Sequence, residues 1–165
     1  DPGTKWRVTP EVAGPTYVLG DIGRHAFYLA ELMVPGLQVK NLLCSRQSFV
    51  ESRAPLEDNG TVLMNFTNNA VGTLWCSAVN AGSMHQQKIR VIGSKASIEW
   101  WDEHPNQLKF EIQGKPAQIL DRACAMHVAG FLGIMERGEQ SRFRFILVRR
   151  GKALNGPWRL FTVLV

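Results

Sequence analysis

"TVLMNFTNNAVGTLWCSAV", residues 61–79, sets two runs of branched and aromatic residues on either side of the polar triplet Thr67-Asn68-Asn69. Branched and aromatic side chains suit a pleated, half-buried surface, and Asn tolerates the backbone of a tight turn. The stretch therefore predicts a β-hairpin. Similar runs lie at residues 37–50, 87–93, 96–101, 107–113 and 117–121, with short turn signals at 93–95 and at Gly114-Lys115-Pro116. Upstream lies one helical pattern, with Thr16 as its cap, Met33 near its end and Pro35-Gly36 as its stop. Ile22, Ala26, Leu29 and Met33 fall on one stripe of that helix, the face to pack on a sheet. Residues 1–17 hold Pro2, Gly3, Pro10, Gly14 and Pro15 and read as an irregular lead-in. A helix followed by strands joined through short turns gives an α+β fold. Its core is an open-faced, mainly antiparallel β-sheet with one face covered by helices.

The totals fit that reading. A chain of 165 residues, 45% apolar and 20% charged, can bury the core of one domain. No apolar run approaches the roughly 18 residues that cross a bilayer, so no membrane partner is expected. The opening "DPGTKWRVTP" has neither a signal-peptide core nor an initiator Met. It reads as a piece of something longer, in the cytoplasm. Three cysteines are an odd number without metal-type spacing, and Cys44 and Cys76 sit in strand-like runs. Buried free thiols in a reducing compartment are the expectation. The four histidines are scattered too widely for a zinc set, so no metal is expected. Two matches to the glycosylation pattern, at Asn59 and Asn65, lack an export signal and read as chance.

The net charge of +5 is not spread evenly. Residues 128–165 carry seven Lys/Arg against two Asp/Glu, and the remaining twelve basic and twelve acidic residues cancel over 1–127. The charge sets off a basic tail at 128–165 of uncertain origin from the main domain at 18–127, which the Pro- and Gly-rich lead-in at 1–17 precedes. Arg142, Arg144, Arg149, Arg150, Lys152 and Arg159, with Phe143 and Phe145 between, are the composition of a nucleic-acid surface. Solvated charges along a strand are the simpler reading, so nucleic acid is not the expected partner.

Asp21 and His25 are four residues apart in the helical stretch "GDIGRHAFYLAELM", residues 20–33. That spacing stacks them on one face. A carboxylate beside an imidazole fixes its tautomer and readies it for acid–base work. A capping aspartate followed by an unrelated histidine is the alternative, and the spacing alone does not choose. His85, in the loop "AGSMHQQ", reads as a solvated residue that could border a cleft.

The order of motifs narrows the choice. "KWR" (5–7) and a loop with Gly14 precede "GDIGRHAFYLAEL". Then come "LEDNGTVLMNFTNNAVGTLW" (56–75), "SAVNAG" (77–82), "IRVIGSKASIEW" (89–100) and "PNQL" (105–108). Over about residues 5–127 the chain resembles the C-terminal domain of the glucose–fructose oxidoreductase / inositol dehydrogenase / rhizopine-catabolism (Gfo/Idh/MocA) family of NAD(P)-dependent oxidoreductases. The resemblance implies the substrate-binding half of a sugar or cyclitol dehydrogenase, with a homodimer or higher oligomer formed through the open sheet face. It implies Asp21 and His25 as the catalytic pair, with His25 exchanging the proton of a substrate hydroxyl and Asp21 orienting it. Trp6 and Arg7 match the segment that enters the substrate cleft and, with His85, are the implied substrate contacts.

Departures from the family pattern bound what this chain does. Arg24 stands where a small residue is usual, and Gly14-Pro15 replaces two glycines. No Gly-x-Gly-x-x-Gly occurs, so no Rossmann domain and no cofactor-binding residues are expected in this chain. The family's Glu-Lys-Pro lysine has no counterpart, since Lys115-Pro116 follows Gly114 in a predicted turn. NAD or NADP is implied for a full-length parent, and the isolated chain is expected to be inactive. Near residues 126–140 the resemblance fades where the charge balance shifts, which leaves a replaced end and plain divergence both open. A non-catalytic dimerisation module is the rival reading.

Overall fold

The computed structural model describes residues 2–34, 36–83 and 85–122, with the strand backbone of 131–137, 143–149 and 158–164. Ten strands run in order: β1 (Val39–Gln47), β2 (Asn59–Phe66), β3 (Val71–Ser77), β4 (Lys88–Gly93), β5 (Ala96–Trp101), β6 (Gln107–Ile112), β7 (Gln118–Asp121), β8 (Phe131–Arg137), β9 (Phe143–Arg149) and β10 (Trp158–Leu164). An eight-stranded sheet has the order β1-β2-β3-β10-β4-β5-β6-β7, and β8 pairs with β9 in a separate ribbon. All pairings are antiparallel except that of β10 with β3.

The hairpin at 61–79 forms as read. Asn69 takes the left-handed backbone the turn needs, with φ at 63°. The Asn68 side chain accepts a hydrogen bond from the Ala70 amide at 3.0 Å. Beneath it packs α2 (Arg24–Met33), which buries Ala26, Leu29, Ala30 and Met33. These meet Met64, Phe66, Leu74 and Cys76 of the hairpin and Ile89, Val91, Ile98, Trp100 and Phe110 beyond it in one core. Ile22, the first residue of the expected stripe, is half-buried at the margin of that core. As alternation requires, Trp100 is buried and Trp101 faces outward.

Four expectations are corrected. The lead-in is only partly irregular: Pro2–Val8 form a 3-10 helix and Pro10–Ala13 a single α-helical turn, α1, while residues 14–17 have no regular structure. Pro fits the first turn of a helix, where its missing N–H goes unused. The main helix is not one α-helix capped by Thr16, because a π turn, Leu19–Gly23, precedes α2 without a side-chain cap. Cys44 is exposed, since β1 is an edge strand that the helix layer does not reach, whereas Cys76 is buried. The run at 37–50 yields a shorter strand, and a loop follows at 48–58. Trp158–Leu164, in the basic tail, supplies an inner strand of the sheet.

Pro35, Cys124, His127, Arg142, Arg150 and Lys152 lie outside the described residues, as do the side chains of Phe143, Arg144, Phe145, Arg149 and Arg159. Among the described residues no helix is long and apolar enough to cross a membrane.

Burial, with lesser contributions from Glu57 and Cys44, pushes the Cys76 thiol up to about 12. A thiol held protonated and out of solvent does not alkylate. Treatment of the native protein with iodoacetamide is expected to modify Cys44 and spare Cys76 until urea is added, as peptide mapping would report.

Candidate active site

Register places Gln47, Asn59, Ser77, Lys88 and Trp101 at one end of the sheet. The loops 48–58, 78–87 and 102–106 all leave from that end, and the π turn sits over it. Gly60 makes the seat possible. A Cβ there would lie 2.7–2.9 Å from Leu19 side-chain carbons, so the missing methyl is the notch that Leu19 fills. A Cβ at Gly23, at the far end of the turn, would meet Cys76 Sγ at 3.4 Å and Leu74 Cδ2 at 3.6 Å, ordinary contact distances.

The amides that enter this turn are capped from a distance. Glu57 is buried, and its Oε1 accepts hydrogen bonds from the backbone N–H of Tyr17 and of Leu19, both at 3.0 Å. Its own carbonyl accepts the Val18 amide at 3.3 Å. The Arg46 Nη2 group donates to Glu57 Oε2 at 2.8 Å and to the Pro15 carbonyl at 2.9 Å. Asp58 is also buried. Its carboxylate accepts the Phe49 and Val50 amides at 2.9 Å each, and Arg53 pairs with it at 3.4 Å. The Asp58 carbonyl accepts the Ala78 amide at 2.8 Å, which ties the loop 78–87 to the same point.

On this frame sit the residues singled out from the sequence. Arg7 lies over the Trp6 ring, 5.5 Å from its centroid, and pairs with Asp21 at 3.4 Å. Trp6, Arg7 and Asp21 therefore come together. His25 lies on the second residue of α2 and is exposed. No hydrogen bond or ion pair joins Asp21 to His25 here. The stacking argument assumed continuous α-helix, and the π turn changes the residue spacing per turn. Asp21 faces Arg7 instead.

His85 is at the same sheet end but belongs to a different group. Its Nδ1 is 3.6 Å from Asp102 Oδ2. The Asp102 amide is bound to the Gln87 carbonyl at 3.0 Å, and its Oδ1 is buried without a hydrogen-bond partner. Burial raises the Asp102 carboxyl above its ordinary range, opposed by hydrogen bonding at Gln87 and by His85. The sequence reading missed Arg46, Glu57, Asp58 and Asp102. The signal available was the acidic pair in "LEDNG", flanked by apolar runs where two solvated charges are out of place.

The amides entering the π turn are not open to an anion. A pyrophosphate needs free amides at a helix start. Those entering the π turn are already held by Glu57, a group of the same charge.

An open, mainly antiparallel sheet backed by a helix is the build of the C-terminal α/β domain of an oxidoreductase family. The chain belongs to the Gfo/Idh/MocA oxidoreductase family: residues 1–144 match the family's C-terminal α/β domain. The crystal structure of an inositol dehydrogenase homolog from Azotobacter vinelandii complexed with NAD+ is 66% identical, covers 74% of this chain and superposes with a TM-score of 0.72. The same protein complexed with NADH and myo-inositol is 65% identical over 74% of this chain, with a TM-score of 0.69. This chain covers 31% of that protein in both structures. The oxidoreductase YfiI of Bacillus subtilis (strain 168) is 58% identical over 118 residues, 72% of this chain and 30% of YfiI. The chain thus spans about a third of the length of these relatives.

The buried and exposed ion pairs differ in what they hold. Asp58→Ala orphans two amides and a guanidinium and is expected to cost about 3 kcal/mol of unfolding free energy. Arg7→Ala breaks an exposed pair and is expected to cost less than about 1 kcal/mol. Urea unfolding curves measure both.

Proposed function

We propose that this chain is the substrate-binding and subunit-contact half of an NAD(P)-dependent dehydrogenase of sugars or cyclitols. The observation that carries the reading is the group at the sheet end. An exposed imidazole, His25, lies four residues after a carboxylate, Asp21, held by a guanidinium lying on an indole face. His25 takes the proton of a substrate hydroxyl, and Asp21 supports the imidazolium that results. Trp6 offers an apolar face to the C–H side of a ring, and Arg7 donates hydrogen bonds to its hydroxyls. His85 borders the same end and contacts the ligand's far side. A myo-inositol-like polyol is the first ligand to test, because a 65% identical relative is complexed with it.

The redox cofactor is held by a nucleotide-binding half outside the described residues, so the isolated chain does not turn over. The open face supports subunit contact. Leu43, Leu63 and Val71 are exposed there beside a ladder in which Trp75 donates to Asn59 and Asn59 to Gln47. Apolar and aromatic side chains with paired amides are the composition of an interface core. The unpaired thiols of Cys44 and Cys76 suit a reducing, cytoplasmic setting.

His25→Ala in the complete enzyme is expected to lower kcat about a hundredfold or more, with thermal unfolding unchanged because the side chain is exposed. Undiminished turnover would remove His25 from the mechanism. Calorimetric titration of the isolated chain with NAD+ or NADP+ is expected to show no binding, and micromolar affinity would overturn this reading.

A further inference from the structure

We propose that Glu57 is a positioning residue for the reaction, acting through the π turn that carries Asp21 and leads into His25. The inference rests on the reading of Asp21 and His25 as the acid–base pair. Three consecutive amides, Tyr17, Val18 and Leu19, all donate to Glu57, two to its carboxylate and one to its carbonyl. No side chain within the helix caps it. The geometry of the turn is thus set by a residue 38 to 40 positions away in sequence.

The second constraint is steric. Leu19 sits in the Gly60 notch on the facing strand, so the first residue of the turn is fixed from the sheet side as well. Arg46 closes the arrangement, since one nitrogen holds both the Glu57 carboxylate and the Pro15 carbonyl. Residues 15–19 are consequently fixed at their carbonyl, their amides and one side chain before Asp21 is reached.

Stability alone is a poor reason for this device. A buried ion pair is commonly no better for stability than well-packed apolar residues of the same volume. A carboxylate in a fixed place does define direction, because its two oxygens must meet amides on one side and a guanidinium on the other. Displacement of reacting groups by about 1 Å can cost on the order of a hundredfold in rate. Glu57 fixes geometry where geometry governs rate.

The test is Glu57→Asp, which keeps the charge but withdraws the carboxylate by one methylene. In the complete enzyme with NAD+ and myo-inositol it is expected to lower kcat about tenfold or more, with KM within about threefold, at a temperature where the variant is folded. Gly60→Ala presses on Leu19 from the opposite side, leaves Glu57 intact and is expected to lower kcat in the same way. It serves as the test if Glu57→Asp fails to fold. In the isolated chain, amide hydrogen exchange at Tyr17, Val18 and Leu19 is expected to quicken in Glu57→Asp. Unchanged kcat in a folded variant, or unchanged exchange at all three amides, overturns the proposal. If His25→Ala abolishes turnover while Glu57→Asp and Gly60→Ala do not, the positioning role alone fails. If His25→Ala leaves turnover intact, the acid–base reading fails with it.

Discussion

Two adjacent carboxylates without access to water, Glu57 and Asp58, constrain the whole sheet end. Neighbouring side chains in an extended segment point to opposite sides, so one acidic pair reaches two sets of donors. Glu57 turns to the amides of residues 17–19 and to Arg46, and Asp58 to those of residues 49 and 50 and to Arg53. The Asp58 backbone also donates to Gln47 and accepts from Ala78. Each of these bonds is obligatory, because a buried charge that loses its partner costs several kcal/mol. The helix entry, the end of β1, the loop after it and the exit of β3 therefore hold their positions jointly. Loosening one leaves the carboxylates unsatisfied for all.

What the sequence discloses is governed by how far apart the interacting residues lie. The hairpin is legible because its strands and its turn are neighbours in the chain, and Asn69 carries its own signature. The strands from Lys88 to Ile112 are legible for the same reason, and so is the stripe of α2. The π turn is not legible. Nothing in "GDIGRH" distinguishes it from α-helix, because the group that caps its entry is Glu57. Stacking of Asp21 on His25 needs unbroken α-helix through residues 21–25, and the π turn interrupts it. Cys44 shows a second limit. Alternation tells which face a residue takes, not whether that face is covered, and β1 is an edge. The strand Trp158–Leu164 shows a third, since a parallel partner brought in from the end of the chain leaves no local mark.

The open face of the sheet has two unlike halves. On β1 to β3, Leu43, Leu63 and Val71 are exposed among paired amides, with Asn65 donating to Asn41 as well. On β4 to β6 the ladder is ionic: Lys88 with Glu99, and Arg90 and Lys109 both with Glu111. The Lys109 hydrogen bond, then that of Ser97, holds the Glu111 carboxyl below its ordinary range. Exposed pairs of this kind add little stability. Their effect is to keep that half soluble and to give the face direction, with the apolar half left as the part that gains from being covered.

The same electrostatics limit what the sheet end can bind. A helix start ordinarily attracts anions through its free amides and its dipole. Here a buried carboxylate already occupies that role, and a second anion would meet its repulsion at short range. The nearby guanidinium of Arg7 is likewise engaged by Asp21 and by the Trp6 ring. With the helix entry and Arg7 both engaged from within, the groups left open at this end are an aromatic face, the exposed imidazole of His25 and the exposed Arg24 beside it. Under the proposed function, the indole meets the face of a polyhydroxylated ring and the imidazole takes its proton.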